Sequence, residues 1–210
     1  NASYTQDATV NSSISGTASY AWTMTSGPGV ITFGTPAAED TTVSANTDGS
    51  YVIRLTVTDN AGNVAFDKFN LLWDTVAPDT TLTAYTPDPT NDNTPSYSGT
   101  ASDTNTITLV EYRIDSGSWI AATGTTAFNF TTATLSDATH TIETRATDQA
   151  GNVETSYASD TLTIDTVKPT VSALGTLDSN ANGKLDGIKI TLSENIDDNK
   201  LSSGASNWDV

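Results

Sequence analysis

The sequence predicts an all-β protein made of tandem sandwich domains, the third of them incomplete. Threonine, serine, asparagine and aspartate are plentiful, and apolar residues are spread thinly at 36%. Blocks of Glu, Lys, Leu and Ala are absent, so the bias is toward strands and turns. Polar and apolar residues alternate at period two in several stretches, as half-buried strands require. Finally, two stretches repeat each other at an offset of about 90 residues, the size of one sandwich domain.

The repeat gives the domain plan. Val57-Thr58-Asp59-Asn60-Ala61-Gly62-Asn63-Val64, followed by Asp74-Thr75-Val76-Ala77-Pro78, is answered by Ala146-Thr147-Asp148-Gln149-Ala150-Gly151-Asn152-Val153, followed by Asp165-Thr166-Val167-Lys168-Pro169. In each copy an alternating strand stops at Asp-x-Ala-Gly-Asn, whose glycine suits a tight turn with positive φ. The proline of Asp-Thr-Val-x-Pro fixes φ and removes a donor, so this segment reads as a short stiff joint. The expected units are residues 1–74, 75–165 and 166–210, within a longer chain.

The elements follow in order. Little room precedes Trp22 for an opening edge strand, so the first unit is expected to lack a clear one. Tyr20, Trp22 and Met24 alternate with Ala21, Thr23 and Thr25, with Trp22 as a core aromatic. Tyr51, Ile53, Leu55 and Val57 form the inward phase of the strand before the first hairpin. In the second unit Val110, Tyr112 and Ile114 alternate with Glu111, Arg113 and Asp115. The turn Ser116-Gly117 then leads into Trp119-Ile120, and Trp119 is expected at inward phase. Ile142 and Ala146 belong to a later hairpin strand. After Pro169, Val171–Leu174 and the alternating Ile188, Ile190 and Leu192 start a third unit with too few residues to close a sandwich.

Trp22-Thr23-Met24-Thr25-Ser26-Gly27-Pro28-Gly29-Val30 with Tyr51-Val52-Ile53-Arg54-Leu55-Thr56-Val57-Thr58-Asp59 resembles PKD-like domains. Residues 79–165 resemble the bacterial Ig-like domains of large surface proteins and adhesins, in both their Asp-Thr-Val-Lys-Pro joint and their Asp-Gln-Ala-Gly-Asn hairpin. The resemblance implies tandem immunoglobulin-like β-sandwich domains, extracellular display at a cell surface or after secretion, calcium at domain joints, and no enzymatic activity. Two alternatives accompany this spacer or adhesive-stalk reading. One is a carbohydrate-binding accessory region of a secreted hydrolase, which an outward row of aromatics would favour. The other is a filament subunit whose open third domain receives a strand from another chain.

Charge and composition narrow the chemistry. The net charge is −17 with eight Lys plus Arg, which repels nucleic acid and anionic lipid and favours metal cations. With no cysteine, disulfides and thiolate metal sites are excluded. No apolar run is long enough to span a bilayer. His140, the one histidine, sits between Thr139 and Thr141 at a strand start and is expected on the surface. No serine has a histidine partner, and the glycines form no phosphate loop. The expected partners are neighbouring domains of the same chain, a surface protein or glycan of a host or neighbouring cell, and a second copy through the incomplete third unit.

Two sets of residues are candidate calcium ligands. Asp178, Asn180, Asn182 and Asp186 stand at positions 1, 3, 5 and 9 of a loop with Gly183 at position 6 and the carbonyl of Lys184 at position 7. This resembles the first nine positions of an EF-hand loop, but Lys189 replaces the glutamate of position 12 and strand-like residues follow. The expectation is a calcium loop joining two strands, the plain alternative being an Asn/Gly-rich hairpin. The second set is the joint. In an immunoglobulin-like sandwich the B–C and F–G loops lie at the end where the linker enters. Asp74 is therefore expected to meet Asp103 and Asp148–Asn152, where carboxylates without a base call for a cation; loop-shaping Asx turns are the plain reading. Asp165 repeats this logic toward Glu194–Asp198.

Overall fold

The computed structural model describes residues 4–6 and 19–194. It is an all-β sandwich architecture, and no helix forms among the described residues. The strands fall into three groups along the chain.

The first group holds β1 (Tyr4–Gln6), β2 (Ser19–Ser26), β3 (Ile31–Phe33), β4 (Thr41–Ala45), β5 (Gly49–Thr58) and β6 (Val64–Trp73). One sheet has the order β1-β4-β3 and the other β2-β5-β6. An opening strand therefore exists, contrary to expectation: Tyr4–Gln6 pairs antiparallel with Val43–Thr41. At three residues it is too short to show alternation. Period two in β2 and β5 sends Trp22, Tyr51 and Ile53 inward, where they meet Ile31, Val43 and Trp73. The Trp22 indole N–H is satisfied by the Ala38 carbonyl at 3.0 Å. Met24 departs from its expected phase and is exposed, because the ladder with β5 slips between Met24 and Ser26.

The second group runs from β7 (Asp79–Leu82), β8 (Ser96–Ser102), β9 (Ile107–Ile114), β10 (Ile120–Ala121), β11 (Thr123–Gly124) and β12 (Ala127–Thr131) to β13 (Ala138–Asp148) and β14 (Ala158–Ile164). Its two sheets, β11-β12-β8-β7 and β10-β9-β13-β14, enclose one core. Tyr97, Phe128 and Phe130 of one sheet face Val110, Tyr112, Ile142 and Leu162 of the other. Tyr112 and Phe130 stack at 3.9 Å between centroids. Each such aromatic contributes on the order of 1.5–3 kcal/mol by leaving water.

The third group is a two-stranded ribbon of β15 (Val171–Leu177) and β16 (Gly187–Leu192), joined by the loop that begins at Asp178. The residues after the loop form a strand, as their alternation requires. Leu174, Ile188 and Ile190 are all more than half exposed.

Candidate metal centre at the joint

The hairpin that ends β13 brings Asp148 to the end of the second sandwich where the chain enters. Asp148 N donates to the Asn152 carbonyl at 3.1 Å, and Gly151 takes φ 89°. That conformation explains the glycine, since a Cβ would strain it. Asn152 in turn holds the Asp148 carboxylate, through its N–H at 2.9 Å and its side-chain amide at 2.8 Å. Between β8 and β9, Asp103 caps its own turn by accepting from Asn105 N at 2.6 Å. Asp74 arrives from the end of β6 and accepts from Val76 N at 3.0 Å. The three expected carboxylates do converge: one oxygen from each of Asp74, Asp103 and Asp148 lies within 4.8 Å of the other two.

The electrostatics are unbalanced. Asp148 is 2% and Asp74 8% exposed, with Asp103 half-buried. Among the described residues no salt bridge reaches any of them. Two amides offer partial relief. Asn105 Nδ2 donates to Asp74 Oδ2 at 2.6 Å, and Asn152 Nδ2 to Asp148 Oδ2 at 2.8 Å. Clustered carboxylates with little access to water and no base are costly unless a cation joins them. Asn105 was not picked out from the sequence, although its place two residues after Asp103, in an Asx turn, was a usable sign.

The loop of β15 and β16 is shaped in the same way. Asp178 accepts from Asn182 N at 3.2 Å and Gly183 N at 2.9 Å, and Asn180 Oδ1 also accepts from Asn182 N at 3.1 Å. Asn182 Oδ1 accepts from Lys184 N at 2.8 Å, and Gly183 has φ 77°. Asp186 Oδ2 accepts from both Ser179 N and Ser179 Oγ at 2.8 Å. These Ser179 bonds hold the Asp186 carboxyl below the usual range. The five expected ligand positions thus sit on one exposed turn, with Asp178 and Asp186 at its two ends.

The second joint is less developed. Asp165 is exposed and accepts from Val167 N at 3.1 Å, repeating the Asp74–Val76 turn. It joins no acidic cluster among the described residues, and its expected partners Asn195–Asp198 lie outside them. Both joints share a clamp that sequence reading missed. Thr75 Oγ1 donates to Asp48 at 3.1 Å, and Thr166 Oγ1 to Asp137 at 2.8 Å. The partners are too far apart in sequence to leave a local sign.

Two side chains lie elsewhere than expected. His140 is buried at 8% exposure, because it takes the inward register of β13 and its ring nitrogens are satisfied by Asp115 and Ser136. Trp119 is outside the core. It lies with the outward residues of β9 and β13, with the guanidinium carbons of Arg113 and Arg145 at 4.5 and 4.3 Å from its ring centroid and Tyr157 edge-on at 5.0 Å. The turn at Asp115 and Ser116 reverses the chain before Trp119, so the strand's phase does not carry through to it.

The all-β sandwich fold agrees with comparisons to known proteins. Residues 1–72 match the family described as K319L-like, PKD domain, and residues 77–166 match the family described as Bacterial Ig-like domain. The chain thus carries in tandem a stretch that matches a PKD domain and a stretch that matches a bacterial Ig-like domain. Among solved structures it is similar to the fibronectin(III)-like modules of Clostridium thermocellum CbhA, at 17% identity and a TM-score of 0.52, covering 77% of this chain and 85% of that one. That likeness is one of fold. A PKD domain from KIAA 1837 protein matches at 30% identity and a TM-score of 0.29, over 33% of this chain and 69% of that one. A tetra-tandem repeat in the extending region of a large adhesion protein matches at 22% and 0.37, over 78% of this chain and 45% of that one. No curated protein matches the chain.

Proposed function

We propose that this chain is a non-catalytic, extracellular spacer or adhesive stalk whose joints are stiffened by calcium. The observation that carries the reading is the convergence of Asp74, from one side of the joint, with Asp103 and Asp148, from the other, within 4.8 Å. A hard divalent cation there would take one oxygen from each, and water or a backbone carbonyl would complete its shell. Such an ion ties the exit of one sandwich to two loops of the next. The loop of Asp178, Asn180, Asn182, Lys184 and Asp186 supplies a second set of oxygen ligands. The test is calorimetric titration of the whole chain with calcium. Asp103→Ala with Asp148→Ala should remove one ion and leave the rest. Unchanged stoichiometry would refute the joint site.

A second reading has an observation of its own. Trp119 and Tyr157 lie on the outer face of the second sandwich beside Arg113 and Arg145. The two Arg–Glu pairs there, Arg113–Glu143 at 2.7 Å and Arg145–Glu111 at 2.8 Å, leave the patch neutral. An aromatic ring flanked by fixed donors and acceptors suits a neutral sugar, as in a carbohydrate-binding accessory region. Retardation in polysaccharide-containing gels, lost in Trp119→Ala, would favour it. Equal mobility with and without polysaccharide would leave Trp119 as a structural cover for the sheet.

A further inference from the structure

His140 is the chain's one histidine, and both of its ring nitrogens are engaged. Nδ1 lies 2.6 Å from Asp115 Oδ2, and Nε2 lies 3.0 Å from the Ser136 carbonyl oxygen. An ionised carboxylate and a carbonyl offer lone pairs only. A neutral imidazole carries a single N–H, so in either tautomer one ring lone pair would face an oxygen lone pair. The doubly protonated ring satisfies both contacts. Asp115 is held ready for it: its other oxygen accepts from Thr141 N at 2.9 Å.

The two partners belong to separate parts of the fold. Asp115 is the first central residue of the turn Ile114–Gly117, in which Asp115 and Ser116 have φ of 51° and 60° and Gly117 N donates to the Ile114 carbonyl at 2.9 Å. That turn leads to Trp119. Ser136 immediately precedes Asp137, whose carboxylate accepts from Thr166 N at 3.1 Å and Thr166 Oγ1 at 2.8 Å at the second joint. The ring therefore sits between the Trp119 turn and the loop that grips the exit of the second sandwich.

We propose that His140 is a pH-sensitive clip, which when protonated fastens the Asp115 turn to the Ser136–Asp137 loop and when deprotonated lets go of Ser136 and loosens the hold of Asp137 on Thr166. Asp115 is the charged group acting on the ring. The residue opposite on β14 is the apolar Leu162. The Asp115 hydrogen bond, then that of the Ser136 carbonyl, raise the histidine above its ordinary value, against burial. A raised histidine stabilises fully below its unfolded-state value, and the stabilisation is lost as pH rises through the folded-state value.

The experiment uses the full chain labelled at histidine. A single histidine gives a single imidazole signal set, so no assignment is needed. At neutral pH both ring nitrogens should show imidazolium shifts, and the titration midpoint should lie above that of the same chain in urea. Asp115→Asn should bring the midpoint back toward the urea value. In the wild type the protection factor of the Thr166 amide should fall across the same midpoint, and in His140→Gln that step should vanish. A neutral ring at neutral pH, or a midpoint no higher than in urea, overturns the assignment of charge. Thr166 protection that is constant through the titration overturns the coupling. Should His140→Gln fail to fold, the Asp115→Asn variant decides, since its Thr166 step must move with its midpoint.

Discussion

At the scale of single residues, Glu154 is the most demanding side chain outside the joint. It is 3% exposed and meets donors only: Thr80 N at 3.1 Å, Thr80 Oγ1 at 3.2 Å and Ala146 N at 3.0 Å. It thereby ties β7, the strand that leaves the joint, to β13 of the opposite sheet. Burial raises its carboxyl above the usual range, against the pull of these bonds. The folded chain thus holds this proton more tightly than the unfolded chain, so ionisation of Glu154 erodes stability as pH rises through the folded-state value. Glu154→Gln is the informative variant. Its amide oxygen can serve one of the two backbone N–H groups, but its NH₂ must face the other. Leaving one buried donor unpaired costs about 1–3 kcal/mol, to be read from urea unfolding; an unchanged midpoint would show that the bonds are not formed. Gly27 makes a similar case. A Cβ there would run into the Tyr51 ring, which is 0% exposed and donates through its hydroxyl to the Thr47 carbonyl at 2.6 Å. Gly27→Ala should destabilise the first sandwich by about 1–3 kcal/mol through overpacking, seen as a lower thermal midpoint. Residues such as Tyr51 and Trp22 were legible in the sequence because a long alternating strand fixes their phase. Trp119 and His140 were not, because a turn resets phase at the first, and at the second the inward register of β13 carries a polar ring to partners distant in sequence.

At the scale of elements, the Asp-x-Ala-Gly-Asn hairpins show why part of the site could be read in advance. Both copies make the same bonds. Asn63 donates to Asp59 through its N–H and its amide, each at 2.8 Å, as Asn152 does to Asp148. Gly62 takes φ 87° and Gly151 φ 89°. A local motif carries its geometry with it, so its place at a loop end follows from chain order. The clamps Asp48–Thr75 and Asp137–Thr166 have no such local cause and emerge only when distant strands meet. The loop between β15 and β16 lies between these cases, with a legible ligand pattern on a strand scaffold. Its carboxylates must be ionised to bind a cation. Asp178→Ala with Asp186→Ala should therefore remove one calcium from the calorimetric count, and wild-type affinity for that ion should weaken as pH falls toward the carboxylate range. Retention of the full count would assign the loop a purely structural turn.

At the scale of the molecule, charge and joints act against each other. A net charge of −17 on 210 residues makes neighbouring units repel, while the buried acidic cluster adds a local cost at the joint. Calcium should remove both costs together, raising the thermal midpoint by mass action and lengthening the particle in small-angle scattering as the joint stiffens. Chelator that changes neither quantity would remove the stiffened-rod mechanism. The ribbon of β15 and β16 supplies the sharpest test of how the units cooperate. A two-stranded ribbon alone is marginal in water, and Val171, Leu174, Ile188 and Ile190 are 57%, 70%, 62% and 55% exposed. It has no second sheet among the described residues. Its amides should therefore exchange with solvent far faster than those of Ile142 or Leu162, which are 0% exposed at the centre of the second sandwich. If calcium binds this loop as proposed, it should brace the turn between the two strands and slow this exchange selectively. Exposed edges also template strand addition. If a second copy supplies the missing cover, protection will rise with protein concentration and sedimentation will show head-to-tail growth. If protection is independent of concentration and the chain sediments as a monomer with and without calcium, the filament reading falls and the spacer remains.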